Sequence, residues 1–351
     1  MLLEQFDLGL EPRVLHVLLG AAIGLVFGIA AQISRFCLRR AVAGDPVERS
    51  GAAGVWMTGL AVAILAVQGL TTAGYIDLGD HRWLSSDLPV AALVVGGLLF
   101  GVGMVLTRGC ISRLSVLASS GNLRAVTVIL VFAVTAHAML KGVLAPVRSA
   151  IGSVTVESPV ATLTQLPGGV WLWTAVAVLP LLLFAWRSDA RRTDLLLGGL
   201  VGLVAAAGWA GTSVLLFDEF DPLPVQSAAF TLPWTDTLFW TIASTAIPAS
   251  FGVGFIGGVV TGAFASAAAR RELRLQSFET PGQTLRYASG AAMMGAGAVL
   301  TGGCTIGAGI AGGGALSVAA LVALASVIAG AAVANAAQSG VVGVKPVGAT
   351  G

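Results

Sequence analysis

The segment GVGMVLTRGC at residues 101–110 returns as GAGAVLTGGC at residues 295–304, identical at seven of ten positions. Each copy closes an apolar run with a Gly-Cys pair, Gly109-Cys110 in the first and Gly303-Cys304 in the second. Both also keep a polar residue inside the match, Thr107 and Thr301, which argues against chance likeness between two Gly-rich strings. A motif duplicated at the ends of two hydrophobic segments is the pattern of a membrane protein built from two related halves.

The rest of the chain agrees. Of its 351 residues, 56% are hydrophobic and only 10% charged, where a soluble domain carries about a quarter charged residues. Mean hydropathy is +0.91. The apolar residues fall in continuous runs of about 20, the length that crosses a bilayer as a helix. They do not alternate with period two as barrel strands do. The expected fold is therefore an all-α polytopic membrane protein. Nine spans are expected, near 14–33, 52–73, 89–106, 125–145, 169–186, 195–217, 249–269, 287–301 and 315–338. The first begins after an acidic stretch without a basic leader and reads as a retained span. No Asp or Glu falls inside any of them, which argues against a carboxylate proton relay.

Arginine sets the expected orientation. Segments 34–51, 107–124, 187–194 and 270–286 together hold fourteen Arg, and the tail adds Lys345. The alternate segments hold only Arg13, Arg82, Lys141 and Arg148. This places the N-terminus outside and the C-terminus in the cytoplasm. The third span then runs inward to Cys110 and the eighth outward to Cys304, so the repeat is inverted. Gly20, Gly24, Leu25 and Val26 also match Gly198, Gly202, Leu203 and Val204. One membrane domain over 1–351 is expected, with a first repeat at 14–145, a connecting span at 169–186 and an inverted second repeat at 195–338.

After each motif comes a stretch unsuited to spanning: 107–124 is polar, and 302–314 is made almost wholly of small residues. Both read as re-entrant loops carrying a short helix that starts near the cysteine, since irregular backbone at membrane depth must be buried in protein or line a cavity. Cys110 and Cys304 would then approach a common axis from opposite faces. Free N–H groups at a helix start would favour an anion there. The third cysteine, Cys37 in SRFCLRRA, has no counterpart in the second half. His137 and Lys141, one turn apart, could draw an anion into an outer vestibule, while His16 and His81 read as solvent or interface residues. Segment 218–237 reads as an acidic, Pro-rich outer loop. Trp56, Trp83, Trp171, Trp173, Trp186, Trp234 and Trp240 lie near span ends, as an aromatic belt would.

The three thiols include no CxxC pair and are one short of a Cys₄ metal site. The six Met form no ladder of the kind copper pathways use. Neither a metal nor a cofactor is expected. Thiols in a channel of low charge suit a soft sulfur-bearing solute, because S–H is a weak donor and sulfur is polarisable. The segments RFCLRRA, GVGMVLTRGCISRL and GAGAVLTGGCTIGAG resemble the YeeE/YedE family of sulfur-compound transporters over essentially the whole chain. The resemblance implies uptake of thiosulfate, or a related sulfur or selenium compound, across the bacterial inner membrane. It also implies relay through Cys37, Cys110 and Cys304, with Gly109 and Gly303 beside the last two, and often a cytoplasmic TusA-type sulfur carrier as partner. No nucleic-acid partner is expected. Arg108, where the second copy has Gly302, either attracts an anion or orients its helix by snorkelling. The alternatives are a membrane sulfurtransferase, which would need a base near its nucleophile, and a scaffold for a soluble sulfur carrier.

Overall fold

The computed structural model describes residues 11–79, 81–215 and 224–342. Lys345 and residues 218–223 of the acidic segment lie outside the described residues.

The helices begin where local chemistry tells them to. Helix α1 (Pro12–Ser34) opens on Pro at its first position, where a missing N–H costs nothing. A short α2 (Leu38–Ala43) follows. Asp45 caps α3 (Pro46–Thr72) by accepting from the Val47 N–H. Next come α4 (Val90–Leu106), α5 (Ile111–Ser119) and α6 (Leu123–Lys141), the last capped by Asn122. A short α7 (Ala145–Gly152) precedes α8 (Gly169–Arg187) and α9 (Arg192–Ala210). Helix α10 (Thr231–Ala243) occupies part of the segment expected to be a loop. Ser250 caps α11 (Phe251–Ala269) and Thr280 caps α12 (Pro281–Leu300). A wide π-helical segment, Thr305–Gly312, then leads to α13 (Val318–Val342).

Nine helical stretches among the described residues are long and apolar enough to span, and they coincide with the nine expected. Their packing carries the repeat. Exchanging spans one to four with spans six to nine maps the principal helix contacts onto themselves. Contact α1·α11 becomes α9·α3, and α4·α13 becomes α12·α6. Contacts α4·α12 and α1·α9 each map onto themselves. Helix α8, the fifth span, packs mainly on α3 and has no equivalent. It is also the least buried span.

The α4·α12 crossing shows that the repeat is inverted. A methyl at Gly103 would strike the Gly290 carbonyl, and one at Gly297 would lie 2.5 Å from the Gly96 carbonyl. Higher numbers on α4 thus meet lower numbers on α12, so the two helices are antiparallel. The repeat offset carries Gly103 to Gly297 and Gly96 to Gly290, so the two contacts are mates. Small residues at this seam let the backbones touch, which drives association where lipid offers no hydrophobic gain.

A backbone contact ties down the start of each half's last span. Before α6, the Leu123 N–H donates to Gln276 O at 2.8 Å. Before α13, the Val318 N–H donates to Ala161 O at 3.0 Å. Near the second contact, β1 (Asp87–Leu88) pairs antiparallel with β2 (Val156–Glu157). The aromatic belt is only partly as expected. Trp171 and Trp186 are exposed, but Trp56 and Trp83 are buried, because the segments bearing them pack against the re-entrant π segment.

Candidate functional site

The two copies of the motif fold alike. Thr107 Oγ1 donates around its own turn, to Gly103 O at 2.9 Å and Gly109 O at 3.0 Å. Thr301 Oγ1 does the same with Gly297 O and Gly303 O, both at 2.8 Å. The next residue turns left-handed in each copy, with φ 60° at Arg108 and 72° at Gly302. That turn ends the long helix and delivers the cysteine, extended, to the N-cap of the next short helix. The re-entrant reading holds for both: Ile111, Ser112, Leu114, Ser115 and Val116 are buried, as is all of Thr305–Gly312.

Cys37 obeys the same rule, being the extended N-cap residue of α2. All three thiols are free and buried, and none faces lipid. The structure brings Cys37 and Cys110 together, their Sγ atoms 3.8 Å apart. Ser112 Oγ lies 3.2 Å from Cys110 Sγ. This contact was not foreseen, because it depends on how α1 meets the α4–α5 turn. Cys304 stands apart, with its Sγ 3.5 Å from the Gly307 N–H. Arg108 is exposed beside Gly109.

A cavity of about 770 Å³ lies against the Cys304 turn. Gly302, Gly303, Gly307 and Ala311 form part of its wall, which puts the Cys304 thiol one residue behind the lining. Loop residues Asp77, His81, Arg82 and Trp83, helix residue Trp209, and residues 224–229 and 231–233 line most of the rest of it. Arg82 is exposed to the cavity and donates to Gly302 O at 2.6 Å. It is the one cationic residue among the described lining. His81 packs edge-on against Trp209, with centroids 4.8 Å apart. Burial first, and then the neighbouring Arg82 charge, push its pKa down to about 4. His81 is thus a half-buried residue of the cavity wall, where a solvent or interface position was expected. The hidden signal was the burial of Ile76, Leu78 and Trp83, whose apolar spacing anchors this loop inward. His137 and Lys141 do not line the cavity; the His137 ring stacks on Phe239 at 3.7 Å. His16 is buried, with Nδ1 3.0 Å from Pro12 O.

Two curated relatives align with the chain over most of its length. The chain is 25% identical over 307 residues to the thiosulfate transporter TsuA of Spirochaeta thermophila, covering 82% of this chain and 88% of that one. It is 24% identical over 324 residues to the thiosulfate transporter TsuA of Escherichia coli, covering 83% and 85%. The family described as sulphur transport matches residues 33–333, which include all three cysteines and both copies of the motif. The chain is a multi-pass inner-membrane protein and belongs to that sulphur-transport family of transporters.

Proposed function

We propose that this protein is an uptake permease for thiosulfate or a related small sulfur anion, relayed through Cys304, Cys110 and Cys37. The observation that carries the reading is the disposition of the thiols. One lies behind the wall of an open cavity, two touch each other, and all three sit buried at the start of a short helical segment. An anion leaving water needs donors at every stop, since a bare apolar passage would cost many kcal/mol. Thiol S–H groups and the first N–H groups of α5 and Thr305–Gly312 supply weak donors that hold without trapping. Gly109 and Gly303 add no side chain of their own beside Cys110 and Cys304.

Direction follows the arginine bias. Residues 34–51, 107–124, 187–194 and 270–286 face the cytoplasm, so the cavity opens outward and the Cys37–Cys110 pair lies on the cytoplasmic side. The halves 14–145 and 195–338 then form the two inverted units, with 169–186 between them. A TusA-type carrier would collect sulfur at the Cys37 end, where Arg35, Arg39, Arg108 and Arg113 flank the thiol pair in sequence. Uptake of labelled thiosulfate by cells expressing the chain tests the reading, with sulfite, sulfate and selenite as competitors. Saturable thiosulfate accumulation is expected. Accumulation equal to that of empty-vector cells would refute it.

A further inference from the structure

The two copies of the motif differ at one functional position: Arg108 in the first, Gly302 in the second. The structure shows what borders that position. A Cβ built on Gly302 would point at the Trp83 ring, 3.5 Å away, and at Arg82 Nε, 4.0 Å away. Both contacts are ordinary van der Waals distances. The Trp83 ring, with Arg82 Nε just beyond it, therefore borders the space into which a side chain at 302 would project. The Arg82 guanidinium is pinned there by its bond to Gly302 O and by its seat 5.7 Å from the Trp83 ring centroid. A guanidinium has about five N–H donors, and this is the only acceptor it meets among the described residues. Its side chain is exposed and lines the cavity. Asp77, the other charged group on the wall, accepts the Gly79 N–H at 2.8 Å instead.

We infer that Arg82 stands in, from the α3–α4 loop, for the arginine that the second copy lacks, and is the residue that captures divalent sulfur oxyanions in the outer cavity. This rests on the permease reading above. A planar, always-charged fork suits a tetrahedral oxyanion better than a point charge does. It binds the anion beside Gly303, one residue from the Cys304 thiol, so capture precedes transfer.

The geometry offers a rescue. Arg108 shows that an arginine tolerates the left-handed backbone that Gly302 adopts, and a Cβ at 302 meets the Trp83 ring and Arg82 only at ordinary contact distances. Thiosulfate uptake is compared in the parent, Arg82→Gln, Arg82→Lys and the double variant Arg82→Gln/Gly302→Arg, each normalised to folded protein by detergent-extracted monodispersity. Arg82→Gln should raise KM at least tenfold with maximal rate little changed. Arg82→Lys should fall between it and the parent. The double variant should recover most of the affinity. A parent that transports while Arg82→Gln keeps a KM within twofold would overturn the inference and leave the permease reading intact. A folded double variant no better than Arg82→Gln would overturn the positional equivalence. A parent that does not transport refutes the permease reading itself. If Arg82→Gln does not fold, a KM for Arg82→Lys within twofold of the parent overturns the inference, and a clear rise supports it.

Discussion

Thr107 and Thr301 each spend one hydroxyl on several carbonyls of their own turn, and that local economy positions a cysteine. The thiols they deliver meet different fates. Cys110 is joined by Cys37, while Cys304 is left alone behind the cavity wall. A mild disulfide-forming oxidant such as diamide should therefore consume Cys37 and Cys110 as a pair, the oxidant being reduced to its hydrazine, while Cys304 stays free. Peptide mapping by mass spectrometry reads this, and a Cys110–Cys304 link would contradict the arrangement. Cys37→Ala should then impair uptake as severely as Cys110→Ala, although its motif has no copy in the second half. His81 gives a pH prediction with a definite sign. Its folded pKa is about 4, against about 6.5 unfolded, so below 6.5 the unfolded chain binds the extra proton. Its contribution to stability is complete above about pH 6.5 and declines as pH falls toward 4. Thermal unfolding of His81→Gln should lose that part of the acid sensitivity. An unchanged difference between pH 7 and pH 5 would count against a half-buried neutral imidazole.

At the scale of elements, what holds the molecule together is close backbone approach. The α4·α12 seam and the α1·α11 seam are lined by Gly whose missing Cβ is filled by a neighbour's backbone. Overpacking of this kind costs about 1–3 kcal/mol per inserted group. Gly297→Ala and Gly103→Ala should each lower the detergent melting temperature by similar amounts, because they are mates in the repeat. Gly257→Ala, with nothing within 4 Å of its Cβ, serves as the neutral control. Equal effects at all three would contradict the seam. The spans themselves were legible in the sequence because hydrocarbon thickness sets their length. The re-entrant segments were legible too, since 107–124 is too polar and 302–314 too small-sided to face lipid. Helix α10 was not. Its polar and Pro-bearing sequence, TLPWTDTLFWTIA, carries no span signal, and its place is fixed by contacts such as the Trp234 N–H to Ser115 Oγ at 2.7 Å. The Cys37–Cys110 contact and the Arg82 wall were hidden for the same reason: both depend on segments far apart in sequence that only tertiary packing joins.

For the molecule as a whole, the inverted repeat puts two versions of one turn at opposite ends of an antiparallel helix pair. One end carries a lone thiol with a cavity and Arg82, the other a thiol pair among arginines. Orientation decides which end meets the outside. Cysteine-free protein with single reporter cysteines should be labelled from outside at residue 82 or 148 by an impermeant maleimide, and not at 191 or 274. Labelling in the opposite sense would reverse the pathway. The proposal stands or falls on whether the thiols carry the substrate. Uptake of labelled thiosulfate by the Cys110→Ala/Cys304→Ala variant, at parental levels of folded protein, tests this most directly. Uptake should fall to the level of cells lacking the protein. The matching Ser pair should fail nearly as fully if polarisable sulfur is what binds. Parental uptake in the Ala pair would contradict the relay outright.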